Sequence, residues 1–588
     1  MSIGVALQAA LSGLQVNQSA IDVTAANIAN ANTEGYSRKV VSQEAIAVDG
    51  RTAGVSIAQI ERQVAQFLLR DIRNEMSAVG AAEVTDAFYG RMQDMFGGPG
   101  DDRTIGERIA AFAADLESLA ATPESFTIRS QLVNAAVDLA QQINETARDI
   151  QNLRADTDRD IAQTVVEIDR MLASIHELNV KIVQAKGLDH ASGDLEDQRD
   201  LAVANLAEQL DITTFSRNSG EIVVMTGSGI PLVNHQAADV TYPPIGIVDA
   251  SVVYPGGFSA ISVNGTDITT GLRSGRLAAL VDMRDNALPA FNAELDSLTA
   301  RLRDEVNALH NQGTGWPPPN ELTGTQSFSG GAGTAVAGTG TVRIAVTAAD
   351  QSFAALPLDL DLSTTATLGD VVIAVNTALA GVATAALNAD DQLVLTATNP
   401  DHGIAIGEGD SQIGGRGFAH HFGLNDLFLG AATGSASSSF AVRPTIAQQP
   451  GRLGAALLSD IASGSITVGQ TGAVASGDNR NAQALAAKFD ERLTFTAAGG
   501  LPTTAATLSD YGAEILSRNA AQAANASADL SFRNSVADGL KLKADSFSGV
   551  NVDEELANLI VFQNAYSAAA RIVSTLQEMF RILERMAA

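Results

Sequence analysis

From residue 124 to residue 186 the chain contains neither glycine nor proline. Within that tract Ile143, Ala147, Ile150, Leu153, Thr157, Ile161, Val165, Ile168, Leu172, Ile175, Leu178 and Ile182 keep three-to-four spacing. That is the pattern of one face of an α-helix. A single helix of this span is roughly 90 Å long at about 1.5 Å per residue, more than a compact domain is wide. The body of the molecule is therefore expected to be a helical rod. A break near Asp156-Thr157-Asp158 is allowed for, because Asp and Thr are weak helix formers that favour caps.

Two narrower seams stand at the chain ends. Leu7, Leu14, Ile21 and Ile28 repeat every seven residues, with Leu11, Gln18 and Ala25 four residues after the first three. Leu559, Tyr566, Val573 and Phe580 form a matching row near the other end, with Phe562, Ala569, Leu576 and Leu583 beside it. Alternating four-three spacing is the seam of a left-handed coiled coil. Each end has one sticky seam, so the two are expected to pair, with each other or with copies of themselves. Asn30, Asn32 and Gly35 follow the first helix and accept left-handed backbone angles, which marks a helix stop and a turn.

Between the ends the pattern changes several times. Residues 36–43 and 54–60 alternate as short strands. Helix resumes near Glu61, runs to Phe96 and breaks at Gly97-Gly98-Pro99-Gly100. Ile105, Ile109, Phe112, Leu116 and Leu119 form the next helical seam, closed by Pro123. Ser192-Gly193-Asp194 caps a helix through Leu210; residues 212–268 read as β, and helix returns over 274–311. Trp316-Pro317-Pro318-Pro319 is a stiff connector, after which Gly, Thr, Ser and Ala dominate. The expected insert there has strands at 341–347 and 358–362, a helix from Leu368 capped by Thr367, and a hairpin over 383–398.

The expected fold is mainly α with β-rich parts: an elongated rod of long helices and coiled coil, paired terminal helices, and an inserted β-rich, ββαββ-like domain. Residues 1–60 pair with 545–588. Residues 61–321, β-rich near 212–268 and completed by 447–544, make the rod. Residues 322–446 make the surface-exposed insert.

Composition narrows the function. The 37 Lys and Arg face 67 Asp and Glu, a formal charge of −30, so nucleic acid and anionic membrane surfaces repel the chain. No cysteine is present, which excludes disulfides and thiolate metal sites. No apolar run reaches the eighteen residues of a membrane span, and residues 1–10 lack the basic region of a signal peptide.

Catalytic and ligand motifs fail on spacing. His176-Glu177 opens an H-E-x-x-H pattern, but Val180 stands where the second imidazole is required. His420-His421, with His402 and Asp410, read as solvated histidines on a glycine-rich loop. Asp359 and Asp361 share a strand face without the further oxygens and loop glycine of a calcium site. Gly338-x-Gly340 and Gly407-x-Gly409 lack the third glycine of a dinucleotide fingerprint. The chain is expected to be no enzyme, with no catalytic, cofactor or metal site.

Ser12-Gly13-Leu14 and the run from Asn27 to Arg38 (NIANANTEGYSR) resemble the N-terminal motif of bacterial flagellar axial proteins. Ser548-Gly549-Val550-Asn551, Asp553-Glu554-Glu555, Asn558-Leu559-Ile560, Gln563, Ala565-Tyr566, Ala570-Arg571-Ile572 and Glu578-Met579-Phe580 narrow the resemblance to the hook-associated (FlgK) family. The stretches 195–200 and 280–285 are similar to the body of that family. The resemblance implies a structural component of the flagellum, needed for motility, that joins hook to filament. It implies self-assembly into a ring or helical turn of about eleven subunits. The implied neighbours are hook protein on one side, and an FlgL-like junction protein and filament on the other. It further implies type III export without cleavage to the extracellular flagellum, with an FlgN-like chaperone on the C-terminal helix while the chain is cytoplasmic. The assembly interface would comprise Leu7, Leu11, Leu14, Ile21, Ile28, Asn30, Asn32, Gly35 and Tyr36, with Leu559, Phe562, Tyr566, Val573, Leu576, Phe580 and Leu583. The alternatives are a hook or other axial protein, or a surface adhesin acting through the insert.

Overall fold

The computed structural model describes residues 3–48, 51–97, 104–431 and 434–587. Helix α1 (Ile3–Ala29) leads into an antiparallel hairpin of β1 (Lys39–Val48) and β2 (Arg51–Arg62). Both strands outrun their sequence-based limits, and Glu61, expected to begin the next helix, lies in β2. Two register shifts, between Ser42 and Gln43 and between Ile46 and Ala47, let the long ribbon twist over α1.

The body follows. It contains α2 (Gln66–Phe96), α3 (Ile105–Ala121), α4 (Phe126–Gly187), α5 (Gly193–Gln209), α6 (Arg276–Asp282) and α7 (Leu288–His310). Gly97 ends α2 at φ 80°; Gly98, Pro99 and Gly100 lie outside the described residues. Ser192 does not cap α5 through its side chain: its hydroxyl donates to Glu196 at 2.8 Å instead. Residues 212–268 form two small three-stranded antiparallel sheets beside α4.

Helix α4 is unbroken, so the break allowed for at residues 156–158 is absent. The reason is tertiary. Thr157 bonds back to the Leu153 carbonyl at 2.6 Å. Asp158, fully buried, accepts from Tyr242, from Arg284 at 3.2 Å and from the Ile245 amide at 2.9 Å. Burial pushes the Tyr242 phenol far above its ordinary value, and its bond to Asp158 adds to the rise. Arg284 sits in a π-helical turn (Met283–Ala287) between α6 and α7. That wider turn brings its guanidinium 4.1 Å from the Phe258 ring centre. Two residues that disfavour helix in isolation thus anchor the middle of the longest one.

The insert contains α8 (Leu368–Ala378), opened by a reciprocal capping box of Thr367 and Asp370. Its strands form two three-stranded sheets, beside a two-stranded pairing of 338–339 with 412–413. One orders 358–361, 341–347 and 403–407; the other orders 383–387, 393–397 and 321–323. Each sheet thus has a third strand beyond the expected strand-strand-helix-strand-strand pattern. The short helix α9 (Phe418–Phe422) carries His420 and His421, not a loop. His421 stacks on Phe328, and burial lowers both histidine pKa values. Asp359 is ion-paired to Arg343 at 2.6 Å, and Asp361 caps the turn at Ser363.

The insert's hydrophobic core runs from Leu322 to Leu424. Phe428, Phe440, Val442 and Ile446, assigned to the insert from sequence, are buried in the body's core. A third cluster joins Ala345, Phe353 and Ala405 to Leu458 and Ile466 on the returning chain. After α10 (Pro444–Gln448), the body is completed by α11 (Arg480–Phe489) and α12 (Leu508–Ser548), the latter packed along α2. Helix α13 (Val552–Ala587) then returns along α1.

Candidate assembly interface

Helix α1 is gripped from two sides, by α13 and by the hairpin. Its most buried residues are therefore Ala10, Val16, Ala20, Thr24 and Asn27, mostly small ones. The sequence-predicted row is less covered: Leu7, Leu14, Ile21 and Ile28 are half-buried and Leu11 is exposed. Val16, which stands outside the heptad rows, is buried. On α13 the predicted row does turn inward. Leu559, Phe562, Tyr566 and Val573 are half-buried and Leu576 is buried, while Phe580 and Leu583 near the end are exposed. A second set on α13 stands in solvent: Leu556, Ile560, Val561, Ile572, Met579 and Ile582.

The hairpin lies on α1 at Ser12, whose hydroxyl donates to the Ala9 carbonyl (3.0 Å) and accepts from the Val55 amide (3.1 Å). A side chain on Gly54 would come within 2.6 Å of that oxygen. The turn after α1 is held by its own side chains: Asn30 donates to the Ala26 carbonyl at 2.9 Å, and Thr33 to Asn30 at 3.2 Å. Asn32 is exposed. Gly35, at φ 76°, packs against Leu201 of α5.

This turn delivers Tyr36, Ser37, Arg38 and Lys39 to a buried polar node. Asn27 donates to the Lys39 carbonyl and to Glu555, both at 2.9 Å. It accepts from the Tyr36 hydroxyl at 3.0 Å and from the Lys39 amide at 3.1 Å. Arg38 grips Glu555 and Glu554 at 2.8 Å each, and its amide bonds the Ser548 carbonyl at the end of α12. Asp197 of α5 accepts from the Ser37 amide and hydroxyl, from Lys39 at 2.8 Å and from Arg62 at 2.8 Å. Arg62 also reaches Glu196 and Asp200, and Asp200 holds Arg73 of α2.

Burial opposes the charge on Lys39, but hydrogen bonds to Asp194 and Asp197 outweigh it and raise the pKa. Arg62 follows the same balance with Asp200 and Asp197, whereas burial wins at Arg73 and lowers it. Burial also pushes the Tyr36 phenol up, under the Lys39 ammonium 3.5 Å from its ring centre. Asn551 opens α13 by accepting from the Asp553 and Glu554 amides. Acidic residues in that first turn complement the helix N-terminus.

Of the sequence-predicted residues, only Tyr36 belongs to this node. Asn27, Ser37, Arg38, Lys39, Arg62, Asp197 and Glu555 were missed as site residues. Their signal was present: opposite charges are packed at Arg38-Lys39, at residues 194–200 and at residues 553–555. Among the described residues, no cluster of three metal-ligating side chains forms and no helix is long and apolar enough to cross a membrane.

Comparison with known proteins gives three family matches. Residues 89–326 match the helical domain of flagellar hook-associated protein FlgK. Residues 7–36 match the flagella basal body rod protein family, and residues 543–586 the C-terminal family of flagellar basal body rod FlgEFG proteins. The chain is 23% identical to flagellar hook-associated protein 1 of Escherichia coli (strain K12), over 98% of each chain. It is 26% identical to flagellar hook-associated protein 1 of Bacillus subtilis (strain 168), over 38% of this chain, and spans 46% of that protein. The flagellar hook junction protein FlgK from Burkholderia pseudomallei shares the fold at a TM-score of 0.51 and 14% identity, over 81% of this chain and all of that one.

Proposed function

We infer that this chain, which belongs to the flagellar hook-associated FlgK family, is a structural, non-enzymatic component of the bacterial flagellum that forms the junction between hook and filament. One observation carries the reading. Three of the stretches that mark the resemblance, around residues 27–38, 195–200 and 548–555, meet in one buried node that fastens both terminal helices to the body.

The α1–α13 pair is the axial assembly surface, a two-stranded coiled coil completed by neighbouring subunits. Exposed Leu11 with half-buried Leu7 and Leu14 on α1, and the solvent-facing Ile560, Ile572 and Met579 of α13, supply the apolar area that such neighbours cover. The partners are copies of the chain in a ring or turn of about eleven, with hook protein below and an FlgL-like protein and filament above. An FlgN-like chaperone covers α13 before export from the cytoplasm. Residues 322–424, with a core of their own, form an outward module.

The test is genetic. A strain lacking the chain should retain hooks and shed filament protein into the medium. Complementation by an Ile572→Asp variant should fail while the purified variant keeps its helical content. Normal filaments from that variant would reject the surface.

A further inference from the structure

The chain contains a single Asn-Pro pair, Asn399-Pro400, in the exposed turn between the insert strands 393–397 and 403–407. Ahead of other residues asparagine deamidates, because the next backbone nitrogen attacks the side-chain carbonyl. Proline has no backbone N–H, which closes that route. What remains is the reverse attack, of the side-chain nitrogen on the residue's own carbonyl carbon. Nucleophile and electrophile belong to one residue, so closing the five-membered ring needs only a side-chain rotation. The surroundings decide whether it proceeds. They must offer a base for the amide and donors for the carbonyl oxygen.

The turn brings both. The Asn399 side-chain amide donates to His402 Nε2 at 3.2 Å. That ring nitrogen accepts, so the neutral imidazole carries its proton on Nδ1, which is buried and has no partner. The ring is therefore poised on the group it would deprotonate. The Asn399 carbonyl oxygen accepts from the His402 amide at 3.0 Å and from the Asn320 side-chain amide at 2.9 Å. Two donors on one carbonyl are what a developing oxyanion requires. Asn320 also reaches the carbonyls of Ala397 (3.2 Å) and His402 (3.0 Å), so it clamps both ends of the turn. The Asn399 side-chain oxygen is tied to the Asp401 amide at 3.0 Å. Attack waits for that bond to break, which makes the reaction slow.

We propose that Asn399-Pro400 is a self-cleaving peptide bond. His402 Nε2 takes a proton from Asn399 Nδ2. The nitrogen forms a bond to the Asn399 carbonyl carbon, and the oxygen takes up the negative charge between Asn320 and the His402 N–H. The tetrahedral centre collapses, the bond to Pro400 breaks, and the proline nitrogen receives the proton from His402. The products are residues 1–399, ending in a cyclic imide, and residues 400–588, beginning with a free proline amine. Nothing is oxidised or reduced, and water enters only later, when it opens the imide. The event is a single change in the chain's own backbone, with no turnover of another molecule. The strands on either side belong to different three-stranded sheets, so the cut leaves each in place and the insert stays folded. The inference is independent of the proposed assembly role.

Purified full-length protein, incubated for days in neutral buffer, is read by denaturing electrophoresis and intact mass. Two pieces meeting between residues 399 and 400 should accumulate and should still elute together on a native sizing column. The N-terminal piece should first appear one water lighter than its hydrolysis product. His402→Ala should slow the cut by about a hundredfold or more, and Asn399→Ala should stay whole. Pro400→Ala restores a backbone N–H, so the cut should give way to deamidation of Asn399, seen as the small mass gain of amide to acid. Should His402→Ala disturb the insert, Pro400→Ala decides, since it keeps both side chains. A chain that remains intact overturns the proposal. So does a cut whose N-terminal piece never lacks that water, the mark of a contaminating protease, and so does an unchanged rate in a folded His402→Ala protein.

Discussion

Asp197 is the carboxylate on which hairpin, N-terminal turn and body converge, and Asp197→Ala tests whether the node stabilises the junction of these parts. Asp197 is 6% exposed and accepts four hydrogen bonds or ion pairs. Its loss leaves Lys39 and Arg62, each 8% exposed, without a main counter-charge. Breaking a buried pair from one side costs about 3–5 kcal/mol. Arg62 retains Glu196 and Asp200, and Lys39 retains the exposed Asp194, which places the ionic part at the low end. The Ser37 amide and hydroxyl also lose their acceptor, at about 1 kcal/mol or more. The sum is about 4 kcal/mol, or roughly a thousandfold in an opening equilibrium. Hydrogen exchange read by mass spectrometry should show that acceleration over residues 36–62 and 193–200, with α4 unchanged. Asp197→Asn, which keeps an acceptor for Ser37, should fall between. The exposed Lys181–Glu177 pair is the internal control: Glu177→Ala should leave exchange nearly unchanged, because solvent screens an exposed pair. An Asp197→Ala protein whose hairpin exchanges within threefold of the unmodified rate would refute the node's energetic role.

Three other outcomes follow. His310, at the neck between body and insert, is fully buried, with Nδ1 donating to the Asn425 carbonyl (2.5 Å) and Nε2 accepting from the Gly454 amide (2.8 Å). Burial pushes its pKa down to about 4, and Arg443 lowers it further against the Asn425 bond. The unfolded state therefore takes up a proton first, so the contribution is complete above about pH 6.5 and about 3 kcal/mol is lost as pH falls to 4. Trp316, the single tryptophan, lies at that neck; its urea midpoint should drop across this window, and a flat midpoint counts against the assignment. Gly54→Ala should loosen the hairpin by about 1–3 kcal/mol through the clash with Ser12, and Ser12→Ala should recover part of that loss in a thermal melt; no recovery would place the strain elsewhere. Replacing residues 325–423 by a short Gly-Ser link should leave a folded body, because the Thr325 amide and Phe422 carbonyl already meet at 3.1 Å. Extending the cut to 322–446 should abolish folding. It removes Phe428, Phe440, Val442 and Ile446 from the core at about 1.5–3 kcal/mol each. Equal circular dichroism from both deletions would contradict the core assignment.

Much of the architecture was legible where a pattern is local. The longest helix, the α13 row as far as Leu576, and four strands and the Thr367 cap of the insert follow from spacing within one element. What escaped depends on partners far away in sequence. Asp158 reads as a helix breaker because Tyr242 and Arg284 are invisible from residue 158. The buried face of α1 differs from its heptad row because two elements, not one, press on it, and a helix held on both sides buries its small residues. The insert boundary was set too late because composition does not change at Leu424, where the chain leaves one core for another. The node was half visible: its stretches were conspicuous as motifs, but charge clusters usually mean solvated surface, and only the fold shows these to be buried.

The hydrogen bond from Asn27 to Glu555 spans 528 positions. At roughly 5–20 residues per second of synthesis, about 30–100 s separate the appearance of its two ends. Throughout that interval α1 has its hairpin but not its second helix. Contacts of such long range also close last on folding kinetic grounds, since the loop entropy must be met before they contribute. The terminal layer is thus the slowest part of the molecule to mature, and the final forty residues act as a completion signal: until α13 arrives, the first helix made is the last to be covered.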